Sequence, residues 1–343
     1  MKAAVLEKWH HIQVQDTDTP IPGSGEVLIR VSVAGVCGSD VHIYHGDNPI
    51  ATAPVIQGHE FMGIVEGQGE NVSRFNMGQR VAIQPLVFCG SCTPCQRGIP
   101  HVCEKLTVIG VNRNGAFAEF VSVPQDTVFA LAEDIPDDVG VLAEPFSIGY
   151  HACQRGSFST TDKVLVIGGG PIGFYAAITA RELGAQQVAL SEPLADRRDL
   201  ISSFDLEVVD PLLTTTLTEL QERTGHQGYD LVIETSGTSQ GLDFASQAAA
   251  VGGRIVTLGF PAKNYADYNI TRGIVRELSL IGSRVCTREQ FVQTLELLTR
   301  LSRRGQYDMA SLVTAPRGLG HLSQSIEDVA SGAECAKILI APE

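Results

Sequence analysis

Hydrophobic and polar positions change rhythm part-way along this chain. Up to residue 150, apolar residues fall into short β-type runs (27–33, 63–65, Arg80–Ile83 and 118–123) broken by Gly, Pro and Asn, and helical periods are scarce. The spacing predicts a strand-rich, loop-rich domain. From Thr161 strand and helix patterns alternate: Lys163–Ile167, a helix over 173–183, then strands at 187–190, 231–233 and 254–258. That alternation predicts an α/β unit with a doubly wound parallel sheet. After Ser283 come a helix over 289–303, a polar stretch, a helix over 319–330 and a last strand over 337–340, a tail whose pattern suits closure of either unit. The predicted division is 1–150, 151–284 and 285–343, the first boundary lying near Tyr150 on a helical stretch over 142–155.

Length agrees with two units, since 343 residues exceed the usual size of one core and a 43% hydrophobic fraction supplies both. No solenoid repeat or low-complexity tract competes with this division. A net charge of -14 repels phosphate backbones and anionic headgroups, and no Lys/Arg stripe overcomes it, so nucleic-acid and membrane partners are not expected. The start MKAAVLEKWH lacks an apolar run with a cleavage site, and no segment has the apolar length to span a bilayer. A cytoplasmic chain is therefore expected, in which eight cysteines point to metal or catalytic chemistry before disulfides.

Lys163–Ile167 runs directly into Gly168, Gly169, Gly170, Pro171, Ile172 and Gly173, followed by an apolar helical run. Strand, GxGxxG turn and helix stand in the order a dinucleotide site requires: Gly168 for the tight turn, Gly170 for approach of the pyrophosphate, Gly173 for helix-on-strand packing. Glu192 ends the next strand, where a carboxylate accepts the ribose hydroxyls and repels the extra phosphate of NADP. NAD is the expected cofactor, a preference that Arg197 and Arg198 soften.

Cys89, Cys92, Cys95 and Cys103 form C-x2-C-x2-C-x7-C in a Gly- and Pro-rich segment. Four thiolates so close in sequence wrap one tetrahedral zinc and leave no open position, which makes the site structural; the spacing matches neither ferredoxin pattern. A dispersed set, Cys37, His59, Glu60 and Glu144, offers ligands for a second zinc with an open position, although spacing alone leaves each of them an ordinary buried or surface residue.

These motifs together resemble the zinc-containing medium-chain dehydrogenase/reductase family over essentially the whole chain. GVCGSDVH resembles the segment carrying a catalytic cysteine, GHE the following ligand motif, the four-cysteine lobe the structural zinc loop, and VIGGGPIG the cofactor turn. The resemblance implies a GroES-like catalytic domain completed by the tail, a Rossmann domain between, an active site in the cleft, two zinc ions per chain, and a homodimer or homotetramer. Cys37, His59 and Glu60 match zinc ligands of the polyol branch. Glu144 stands where alcohol dehydrogenases carry a second cysteine, and either binds zinc or holds its water. Ser39 and His42 match proton-relay positions. Ser236 and Gly237, Leu258 and Gly259, and Ser283 match loops lining the nicotinamide half, while Lys337 sits where a basic residue approaches the pyrophosphate.

The departure at Glu144 moves the likeness toward sorbitol, threonine and sugar-acid dehydrogenases, and EKLTVIGVNRNGAFAEF and ELSLIGSRVCTREQF toward the L-galactonate and L-gulonate 5-dehydrogenase type. The expected activity is thus hydride transfer between NAD and a secondary alcohol of a polyol or sugar acid. Arg113 and Arg284 are the expected grips on a substrate carboxylate, since guanidinium pairs with it through two parallel hydrogen bonds. An NAD-binding regulatory protein or a zinc-free reductase is the competing reading. Retention of Cys37, Ser39, His42, His59 and Glu60 speaks against both.

Overall fold

The structure, a computed structural model, describes residues 1–260, 268–332 and 336–342. The chain divides into two compact units, Met1–Glu144 with Thr287–Glu343, and Pro145–Cys286. The cut falls at the first turn of the helix Ala143–Arg155, where the sequence pattern had put it near Tyr150. The tail from Thr287 joins the first unit.

In that unit the strand Glu26–Gly35 organises the main sheet. Val27, Ile29, Val31 and Val33 alternate inward and are buried, the period expected of a strand with one face on the core. It pairs antiparallel with Glu60–Gln68 along one edge. Along the other, Phe120–Pro124 pairs with its first half and Leu339–Ile340 with its last two residues. Gly35 consequently faces Glu60 on one side and Leu339 on the other.

Directly after this strand the helix Gly38–His45 begins. The Asp40 carboxylate accepts the Cys37 N–H at 2.9 Å, supplying an acceptor at a helix start, and Gly46 ends the helix in the left-handed region at φ 82°. The sequence reading did not predict this helix. Its eight residues bury only Asp40, Ile43 and Tyr44, too few to write a helical stripe.

The second unit is a six-stranded parallel sheet. Its order is Glu207–Val209, Gln187–Ser191, Lys163–Ile167, Tyr229–Glu234, Ala249–Thr257, Ser279–Gly282, that is 3-2-1-4-5-6 in chain order. This doubly wound arrangement places ligands at the carboxyl ends of the strands, at the switch point beside the first strand. Leu165, Ile167, Val232 and Ile255 from the strands and Leu242 and Ala245 from the helix Ser239–Ala248 form one core beneath those ends. Among the described residues no helix is long and apolar enough to cross a membrane.

Candidate active site and metal centres

The first unit brings Cys37, His59 and Glu60 together. Cys37 caps the helix Gly38–His45, while His59 and Glu60 sit where the strand Glu60–Gln68 begins. The entry to that strand is fixed by Gly58, at φ 95°, where a Cβ would press on the Phe117 backbone and ring at 3.0 Å. One ligand atom from each of the three residues lies within 4.8 Å of the others. Ser39 Oγ stands 3.2 Å from His59 Nε2, and Asp40 Oδ1 faces His59 Nδ1 at 3.8 Å.

Charge around this cluster is dense and buried. Asp40 and Glu60 are fully buried, Glu144 nearly so, and Lys337 donates from Nζ to Glu60 Oε2 at 2.5 Å. Burial pushes the Asp40 carboxyl up, against the pull of His59. Burial also acts on Glu60, but Lys337 and then His59 outweigh it and hold that carboxyl below its ordinary value. Glu144 is pushed up to about 7, by burial first and by Glu60 and Asp40 after that, against His59 and Lys337. His59 would fall on burial, yet its bond to Cys37 and the charge of Asp40 carry it well above an ordinary imidazole.

Glu60 Oε1, His59 Nδ1 and Asp40 Oδ1 are buried without hydrogen-bond partners. Buried acceptors of that kind are costly unless a cation or proton serves them. A thiol, an imidazole and a carboxylate converging in a site this rich in negative charge fit zinc, with Asp40 placed to orient the His59 ring from behind.

The four-cysteine lobe is a second, closed centre. Its sulfurs are separated by 3.4 Å (Cys92–Cys95), 3.6 Å (Cys92–Cys103) and 3.5 Å (Cys89–Cys103). Those separations are far beyond a disulfide bond and close to the ~3.8 Å edge of a tetrahedron with zinc–sulfur bonds of about 2.3 Å. Backbone N–H groups of Ser91 and Cys92 point at Cys89 Sγ and bring its pKa down to about 6. The Lys105 N–H donates to Cys103 Sγ at 3.3 Å. Such donors stabilise thiolate rather than thiol.

In the second unit the GxGxxG turn has the geometry of a phosphate cradle. Gly168 takes φ 96°, a Cβ on Gly173 would lie 1.9 Å from Gly168 O, and the space beside Gly170, at the N-terminus of the helix Pro171–Glu182, is open. Glu192 Oε2 accepts the Gly169 N–H at 2.7 Å and Oε1 the Leu194 N–H at 2.9 Å. Arg198 is tied to Asp210 at 3.1 Å and to the Glu192 carbonyl, whereas Arg197 Nε has no partner. Ser236 and Gly237 are pinned by Glu234 Oε1. Gly259 packs so close that a Cβ there would lie 2.3 Å from Gly237 N, and the Leu258 N–H bonds Glu234 O. Ser283 bonds back to Thr257 O, so these loops all belong to the carboxyl end of the sheet.

Two of the expected residues have partners within the first unit. Lys337, assigned to the pyrophosphate, is buried against Glu60 and the Val36 carbonyl, because the tail strand delivers it beside the metal cluster. Arg113, assigned to substrate, is spent on Glu26 Oε1 at 2.6 Å and Ser122 O. Glu26 begins the strand whose other end, Gly35, meets Glu60. Arg284 is exposed, without an ion-pair partner among the described residues, and His42 is exposed on the helix Gly38–His45. Sequence reasoning missed Asp40, although its place three residues after Cys37 was visible.

The sequence matches the family profile "Alcohol dehydrogenase GroES-like domain" over residues 23–134 and the profile "Zinc-binding dehydrogenase" over residues 171–300. The chain belongs to the zinc-binding medium-chain dehydrogenases. Among members of this family it is 30% identical to the L-galactonate-5-dehydrogenase of Escherichia coli K12, over 99% of this chain and 98% of that one. It is 34% identical to the L-threonine 3-dehydrogenase of Deinococcus radiodurans, over 95% and 93%. A proposed zinc-binding dehydrogenase from Sinorhizobium meliloti 1021, solved with NADP, superposes with a TM-score of 0.90 at 30% identity over 99% of both chains. As a zinc-binding dehydrogenase the chain is an enzyme of the alcohol-oxidising type.

Proposed function

We propose that this dehydrogenase oxidises a secondary alcohol of a hexonate at C5, L-gulonate slightly ahead of L-galactonate, with NAD as acceptor. The observation that carries the chemistry is the Cys37–His59–Glu60 cluster, with Cys37 half-buried and the other two buried, and the Ser39 hydroxyl at 3.2 Å from His59 Nε2. When bound, zinc polarises the alcohol oxygen and eases loss of its proton, and NAD takes the hydride. Cys37, His59 and Glu60 hold the metal, Glu144 stands beside them buried, and Asp40 orients His59. Ser39 Oγ receives the hydroxyl proton, and His42, three residues on along the same helix, passes it to solvent.

The Glu192 carboxylate, fixed by two amides, favours a free ribose hydroxyl over a phosphate, which supports NAD. Arg284, exposed and without an ion-pair partner among the described residues, is the cation proposed for the substrate carboxylate. The hexonate class draws support from the L-galactonate relative, and a threonine-type or polyol substrate is the competing choice. Kinetic comparison of L-gulonate, L-galactonate, sorbitol and L-threonine tests this reading.

We also propose that the enzyme is a homo-oligomer. The strand Ser279–Gly282 is the outermost of its sheet and carries Leu280 outward, 48% exposed. The Gly252 N–H bonds Arg276 O at 2.8 Å, bringing exposed Val251 near exposed Ile274 and Val275. An apolar patch on an open strand edge fits a second copy of the same edge.

A further inference from the structure

We infer that Lys337 is a positioning residue that acts through Glu60, restricting it to a one-oxygen, readily released zinc ligand. This rests on the zinc reading of the Cys37–His59–Glu60 site. Glu60, Gly35 and Leu339 form a row across three strands of the sheet. Gly35 has no side chain, and that gap is where the ion pair lies. A Cβ there would stand 2.6 Å from Glu60 Oε2 and 3.1 Å from Lys337 Cδ. The tail strand feeds Lys337 into the gap, where Nζ meets Glu60 Oε2 at 2.5 Å and the Val36 carbonyl at 3.4 Å.

The two carboxylate oxygens thereby acquire different duties. Oε2 is committed to the ammonium, while Oε1 is buried and has no hydrogen-bond partner, which leaves it as the oxygen available to a metal. A buried ammonium beside a divalent cation repels it and draws electron density from the shared carboxylate, so each weakens the other's hold on Glu60. A metal site that must admit and release an alcohol oxygen gains from a ligand held this loosely.

The test is the rate at which a chelator strips the zinc that is missing from Cys37→Ser. Lys337→Met is expected to slow that loss on the order of tenfold, because removing the ammonium ends its repulsion of the metal and returns the full carboxylate charge to it. Lys337→Arg should behave as wild type. In a Glu60→Gln background, Lys337→Met should have most of its effect removed, because the lysine acts through that carboxylate. Circular dichroism checks folding, and Lys337→Gln replaces Lys337→Met if the latter does not fold. A structural lysine would give the opposite sign. Unchanged or faster zinc loss in the neutral variant, or an effect independent of Glu60, overturns the inference. A wild type lacking zinc at Cys37 overturns the site reading itself.

Discussion

Glu192 Oε2 accepts the Gly169 N–H at 2.7 Å, joining the end of the second sheet strand to the phosphate-binding turn after the first. One carboxylate thus shapes the turn and, in the proposed reading, also accepts the ribose hydroxyls. Glu192→Ala is expected to lower kcat/KM for NAD about tenfold, the value of a charged hydrogen bond of ~1.5 kcal/mol, and to raise that for NADP. It should also lower Tm, since two amides lose their acceptor. A wild-type preference for NADP would mean that Arg197 dominates the pocket.

The two metal centres should separate by mutation. Cys92→Ser is expected to lose one zinc and to melt at lower temperature, because the closed lobe turns metal binding into folding energy. Cys37→Ser should lose the other zinc and all dehydrogenase activity while staying folded. Zinc counts per chain on wild type and both variants check this, and a wild type with a single zinc contradicts it.

Asp40 faces the nitrogen of His59 opposite to Ser39. Asp40→Asn keeps the shape and removes the charge, so zinc affinity or kcat/KM should fall roughly 10- to 100-fold, the usual effect of losing a carboxylate behind a ligating histidine. Titration with a competing chelator alongside steady-state kinetics measures both. Wild-type values in each would leave Asp40 as a helix-start residue only.

The exposed edge of the second unit predicts assembly. Val275→Glu with Leu280→Lys should shift sedimentation from an oligomer toward a monomer, since charges on a strand edge block pairing. A monomeric wild type contradicts the proposal.

Much of the architecture was legible because it is written locally. The four cysteines sit within fifteen residues, and the strand, glycine turn and Glu192 follow one another at a spacing that has one physical use. The helix Gly38–His45 was not legible, since its buried residues form no stripe. The ion pairs of Lys337 and Arg113 were not legible for a different reason: their partners, Glu60 and Glu26, lie 277 and 87 positions away and are brought in by strand pairing, which no local pattern encodes. Asp40 was overlooked because its role appears only once His59 is folded against it.

The central claim is tested most directly by kcat/KM for L-gulonate, L-galactonate, sorbitol and L-threonine with NAD, followed by the absorbance of reduced nicotinamide, on wild type and Arg284→Met. The account predicts that the two hexonates lead on wild type, L-gulonate slightly ahead. Arg284→Met should cost the hexonates about tenfold or more, as expected for a charge-assisted hydrogen bond of ~1.5–3 kcal/mol, and leave any sorbitol activity nearly unchanged. Sorbitol or L-threonine as the best wild-type substrate would contradict the sugar-acid assignment.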